Sequence, residues 1–389
     1  MRKLVVAAAL VVALAFGVRA VVPGMIEDSM NQVLPHESVV ISEPAAALHE
    51  TLVVGDLHAD STLWARDLRQ EGGRGHVDLP RLRRGNVALQ SFTFVTRTPA
   101  GMNYESNSAD ARDNITLLAV AQGWPPRTWS SLTERAVYQA QKLTAIETAY
   151  PGELRILRNR DDVIELMQAR TAGAETVGAL LGIEGAHALD DDLNNIDRLE
   201  AAGVRMYGLH HFFDNALGGS LHGAGGLGLS AFGKDVVREL DRRGLIIDVA
   251  HSSPESVRDV LELTDMPLIV SHTGFQGQCA TPRNIPDELM RALAARDSLI
   301  GVGYWDAAVC DVSVEGIVAA IRYGIDLVGV EHVALGSDYD GSTTVPIDAS
   351  ELAQLTQEML RQGFSETEIR AVMGENMRRF LATNLPAAS

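Results

Sequence analysis

From Thr51 onward the chain repeats one arrangement: a short apolar run rich in β-branched residues, a polar stretch with helical spacing, then another apolar run. The runs cover residues 52–55, 87–94, 177–183, 204–209, 245–249, 268–270, 299–302 and 333–335. Segments this short and this uniformly apolar suit strands of a parallel sheet buried on both faces. Helix signals separate them: Asn195-Ile196-Asp197 leading to Leu199, Ser253-Pro254-Glu255 opening a helix to Leu263, and Ser313 ahead of residues 314–323. Strand then helix, eight times over, is the arithmetic of a closed (β/α)8 TIM barrel, an α/β fold. At 389 residues the chain is long for one domain, but barrels of this kind reach such lengths as single units.

Two segments exceed the minimal repeat. Residues 96–168 hold Trp124-Pro125-Pro126 and a helix-like stretch over 132–150, which reads as a helical excursion narrowing the barrel mouth. Residues 347–389 hold Ser350 and Ser365 as N-caps, Glu368 completing a capping box and Gly363 as a stop, which reads as a helical appendage closing the barrel. At the other end, Met1-Arg2-Lys3 precedes an apolar run over 4–18, and Val18-Arg19-Ala20 offers a small-residue cleavage site. Residues 1–26 are therefore expected to be a signal peptide or a membrane anchor, and either one places the chain in an extracytoplasmic compartment. Residues 27–50 read as a connector and 51–389 as the catalytic domain.

A net charge of −18 excludes nucleic acid as a partner, because phosphate binding needs a basic surface. A small substrate or a divalent cation fits better. The two cysteines, Cys279 and Cys310, are too few for a disulfide-stapled scaffold and do not form a Cys-x-x-Cys pair. Metal binding would then fall to histidines and carboxylates.

In such a barrel the carboxyl ends of the strands form the active face, so titratable residues there are the catalytic candidates. The first strand runs into His58 and Asp60, whose alternation with Ala59 sends both to one side. The third ends at Glu184, a carboxylate too costly to bury without a cation or an arginine such as Arg205. The fifth and sixth run into His251 and His272, two imidazoles at one level of adjacent strands. The fourth ends in His210-His211, of which alternation turns only one inward. The eighth ends in Asp338-Tyr339-Asp340-Gly341, where Asp340 suits a turn and Asp338 is chosen to carry protons. His36, His49, His76 and His332 read as structural, and His187 and His222 as remote supports near the mouth.

Across residues 51–385 these motifs resemble the membrane dipeptidases, the renal dipeptidase type of zinc peptidase. The carriers are Asp56-Leu57-His58-Ala59-Asp60, Ile183-Glu184-Gly185, Leu209-His210-His211, Asp248-Val249-Ala250-His251-Ser252, Ser271-His272-Thr273, Arg283-Asn284 and Gly336-Ser337-Asp338-Tyr339-Asp340-Gly341. The resemblance implies two Zn2+ ions, one held by His58 and Asp60, the other by His251 and His272, with Glu184 bridging them. It also implies His211 rather than His210 beside the reacting carbon, Asp338 as proton carrier, and Arg283 on the terminal carboxylate of a dipeptide substrate. Residues 96–168 and 218–228 look like those of bacterial rather than mammalian members, which leaves side-chain preference open. The C-terminal Asn384-Leu385-Pro386-Ala387-Ala388-Ser389 has no apolar tail, so a membrane tether falls to the N-terminal segment. A homodimer stays open.

The expected chemistry is attack on the peptide carbonyl by a hydroxide that two cations make available near neutral pH. The rival readings are another binuclear amidohydrolase, acting on a lactone, β-lactam or cyclic amide, and a non-catalytic extracytoplasmic binding protein.

Overall fold

A computed structural model describes Gly17, Arg19 and residues 21–388 of the chain. Most of the apolar run over 4–18 lies outside the described residues. Among the described residues no helix is long and apolar enough to cross a membrane.

Eight parallel strands form a closed barrel: β1 (Val54–Ala59), β2 (Val87–Val95), β3 (Val177–Glu184), β4 (Val204–Gly208), β5 (Ile246–Asp248), β6 (Ile269–Thr273), β7 (Leu299–Val302) and β8 (Val333–Leu335). β1 lies between β2 and β8, and the ring closes where β2 pairs with β3, from Leu89 opposite Gly178 to Val95 opposite Glu184. Each of the eight apolar runs overlaps one of these strands. The residues of the eight strands are buried apart from Arg205, because helices cover the outside and side chains fill the inside. A short strand, Leu154–Ile156, pairs with the amino half of β3 outside the ring.

The interior at the amino end is filled by Leu57, Leu89, Leu180, Met206, Ile246 and Ile269, which pack on Met377, Phe380, Leu381 and Leu385 of the C-terminal appendage. That appendage therefore plugs the barrel from below and leaves the carboxyl rim open. Gly374 permits the close approach: a Cβ there would lie 2.2 Å from the Val53 carbonyl oxygen.

The cap signals hold in large part. Ser253, Ser313 and Ser365 each accept a backbone N–H at a helix start, and Glu368 completes the box at Ser365. Ser350 is not a cap. Asp348 takes that role, in a box with Glu351, because it stands two residues earlier and accepts the Ser350 N–H at 2.8 Å.

Residues 27–50 are more ordered than a connector. Gln32–Val33 pairs in parallel with Thr344–Val345, and Glu43–Glu50 is a helix whose His49 is buried and bonds to Thr356 Oγ1 at 2.9 Å and the Gly85 carbonyl at 3.1 Å. These partners lie far along the sequence, which is why no local period announced them. The excursion over 96–168 contributes the helices Asn114–Gln122, Leu132–Ala149 and Arg160–Thr171, and Met102, Tyr104, Ile115 and Leu118 reach the mouth.

Candidate metal centre and substrate cavity

At the carboxyl rim, β1 delivers His58 and Asp60, β3 ends on Glu184, the turn after β5 carries His251, and β6 carries His272. Glu184 Oε1 lies 3.4 Å from His58 Nε2, 3.2 Å from His251 Nε2 and 3.4 Å from His272 Nε2. His58 Nε2 is 3.5 Å from Asp60 Oδ1, and the Nε2 atoms of His251 and His272 are 2.9 Å apart. His58, Asp60 and Glu184 form one group able to hold a metal; Glu184, His251 and His211 form another, and His58, His272 and Asp338 a third. The structure thus brings together all five residues expected as ligands. Arg205 does not neutralise Glu184, since its guanidinium donates to the carbonyls of Arg158, Glu200 and Val204.

Two of the imidazoles, those of His58 and His272, are oriented by one hydroxyl. Ser271 Oγ donates to Asp248 Oδ2 at 2.6 Å and lies 3.0 Å from His58 Nδ1 and 2.8 Å from His272 Nδ1. With its single proton committed to Asp248, this oxygen accepts from both Nδ1–H groups, which leaves each Nε2 as a lone-pair donor. A buried lone pair without a partner is costly, and His58 Nε2 and Glu184 Oε2 are both buried without a hydrogen-bond donor. Imidazole nitrogens and carboxylate oxygens at these positions fit divalent metal. Burial would push the Glu184 carboxyl up, but the imidazoles of His211, His58 and His251 outweigh it and hold it well below its ordinary range.

Around this cluster lies a cavity of about 490 Å³, within the range of small-molecule sites, roughly 300–1,000 Å³. Asp60, Glu184, His211, His251, Arg283 and Asp338 line it. His211 Nε2 is 3.3 Å from Glu184 Oε2, whereas His210 is absent from the lining and lies 3.0 Å from Ser252 Oγ through its Nδ1, so His211 is the inward imidazole. Arg283 is 1% exposed, donates to the carbonyls of Ala250 at 3.0 Å and His272 at 2.5 Å, and has no carboxylate partner among the described residues. Asp338 Oδ1 is 3.9 Å from His58 Nε2. Burial, together with the charges of Asp60 and Glu184, holds the Asp338 carboxyl well above its usual range.

Other parts of the site gave little sequence signal. Asp340 faces away from the cavity, fully buried, and accepts from Arg66 at 2.5 Å, from the Ser61 hydroxyl at 2.6 Å and from the His76 N–H at 2.7 Å. It fastens the turn carrying Asp338, which explains why His76 is buried rather than in a solvated loop. Tyr104 and Trp305 line the cavity from distant loops. Cys279 and Cys310 are joined by a disulfide, which ties the loop bearing Arg283 to the loop after β7. His222 lies with its ring 5.5 Å from that of His251, and His187 packs on Phe213.

Residues 42–386 match the family model of the membrane dipeptidases, peptidase family M19. The chain belongs to the membrane dipeptidase family. It is a peptide-bond hydrolase of the metallo-dipeptidase type. Solved structures share the fold at low identity. A metallopeptidase of Rhodobacter sphaeroides, liganded with a phosphinate mimic of the dipeptide L-Ala-D-Ala, is 23% identical with TM-score 0.69, covering 86% of this chain and 99% of its own. The probable dipeptidase PvdM of Pseudomonas aeruginosa is 20% identical with TM-score 0.71, covering 87% and 97%. A dipeptidase of family M19 is 24% identical with TM-score 0.71, covering 87% and 100%.

Proposed function

We propose that this metallo-dipeptidase cleaves dipeptides with two zinc ions, one held by His58, Asp60 and Glu184 and the other by Glu184, His251 and His272. The observation that carries the reading is the shared cavity: a metal-competent cluster and an unpaired buried arginine face the same space. Bound ions would polarise the scissile carbonyl and make hydroxide available near neutral pH.

The chain's own residues supply the rest. Arg283 receives the substrate's terminal carboxylate, since a guanidinium fork matches it and the described residues give it carbonyl acceptors but no carboxylate partner in ion-pair contact. His211 stands beside the cluster to hydrogen-bond the oxyanion that forms at the attacked carbon. Asp338, lining the cavity within 3.9 Å of His58, passes the proton from the attacking water to the departing amine. The Rhodobacter neighbour's dipeptide mimic supports this substrate class.

An extracytoplasmic location belongs to the same proposal, supported by the Cys279–Cys310 disulfide, a bond that persists in oxidising compartments. Metal analysis of the purified chain beside a screen of dipeptides, lactones and β-lactams tests the reading. Two zinc equivalents with dipeptide turnover are expected. Turnover confined to lactones or β-lactams, or a metal-loaded protein inert to every dipeptide, overturns it.

A further inference from the structure

The helix over residues 21–30 precedes the family-matched segment, 42–386, yet it reaches the catalytic cavity. Val22, Ile26 and Met30 line that cavity. Their spacing of four places them on one stripe of the helix. Each remains about a third exposed, at 36%, 36% and 38%.

The helix is anchored. Glu27, 1% exposed, pairs with Arg66 and with Arg74 at 2.7 Å. Arg66 in turn holds Asp340, two residues from Asp338, and Asn31 Oδ1 accepts the Ser342 N–H at 2.8 Å. The stripe is therefore locked to the same turn that carries the proposed proton carrier. Leu63, Trp64, Val95, Ile115 and Leu118 add further apolar lining to the cavity. One group of lining residues is thus polar, with Arg283, Asp338 and His211, while another is apolar and incompletely covered.

We propose that this N-terminal helix forms the apolar wall of a side-chain subsite, so that the enzyme selects dipeptides bearing a bulky aliphatic or aromatic residue over glycyl ones. The inference rests on the dipeptidase reading and adds its substrate class. Apolar wall atoms that stay partly wet without substrate become dry against a large side chain, and a glycine offers nothing to dry them. Cleavage after Ala20 would keep Val22, Ile26 and Met30 on the chain.

The test compares kcat/KM for Phe-Gly, Gly-Phe and Gly-Gly on the zinc-loaded full chain, on Ile26→Ser/Met30→Ser, and on Ile26→Trp, with metal content read for each. The full chain should favour a phenylalanyl substrate, in one order or the other, over Gly-Gly. The double serine variant should lower that ratio by roughly tenfold, the scale of apolar pocket discrimination. Tryptophan at 26 fills the subsite and should lower the ratio through KM. Turnover with an unchanged ratio in both variants overturns the subsite alone. Failure of the full chain to cleave any of a wide set of dipeptides overturns the dipeptidase reading and the subsite with it.

Discussion

The hydroxyl of Ser271 donates to Asp248 at 2.6 Å while both His58 and His272 present their Nδ1 atoms to the same oxygen. One serine thereby sets the tautomer of an imidazole in each of the two proposed zinc sites. Ser271→Ala would release both rings, so metal affinity should fall by about 10- to 100-fold. Chelator competition measures this, and an unchanged affinity would show that packing alone orients the rings.

Replacing Asp338 tests the proposed proton transfer apart from metal binding. Its carboxyl lines the cavity without belonging to the proposed zinc ligands. Asp338→Asn should cut kcat by roughly 10²- to 10⁴-fold and leave zinc content as it was. Retained turnover removes the residue from the proposed role.

The disulfide between Cys279 and Cys310 ties down the loop that presents Arg283, where Asn284 also bridges the carbonyls of Cys279 and Ala308, both at 2.8 Å. Replacing both cysteines with serine should cost about 2–5 kcal/mol of stability and raise KM more than it lowers kcat, because the proposed carboxylate anchor, Arg283, loosens. Thermal unfolding and steady-state kinetics read the two effects separately. A lower Tm with KM unaltered would confine the bond to stability.

Acid stability should depend on Asp340. Burial pushes its carboxyl up, but Arg66, His76 and the hydrogen bond from Ser61 outweigh that and hold it below the ordinary value. The folded form therefore binds the proton less readily than the unfolded chain, whose aspartate titrates near about 3.9. This contribution is complete above that pH and is lost as pH falls through the lower folded value. Asp340→Asn should flatten the fall of unfolding free energy below about pH 4 and, by leaving Arg66 short of a partner, cost about 3 kcal/mol at neutral pH. Urea unfolding across pH 3–7 decides; an equal acid slope in both proteins would assign the acid loss to other carboxylates.

Much of the site was legible because the fold makes it local. A residue that follows an apolar run sits at a strand's carboxyl end, so His58, Glu184, His251, His272 and Asp338 could be marked before their partners were known. The choice between His210 and His211 was not local. It turns on which side of the bend after β4 faces the rim, and the Ser252 contact of His210 settles it. Asp340 looked like a turn residue for the same reason: its partners, Arg66 and His76, lie more than 260 positions away in the chain.

By itself the sequence determined the strand count, the positions of the helix caps at Ser253, Ser313 and Ser365, and the residues waiting at the strand ends, since these follow from periodicity and short-range hydrogen bonding. Tertiary structure alone decided that Ser271 joins two rings, that the two cysteines bond, and that an apolar N-terminal helix faces the cavity. Those relations exist only once the barrel has closed and brought residues far apart in the chain within hydrogen-bond or van der Waals reach.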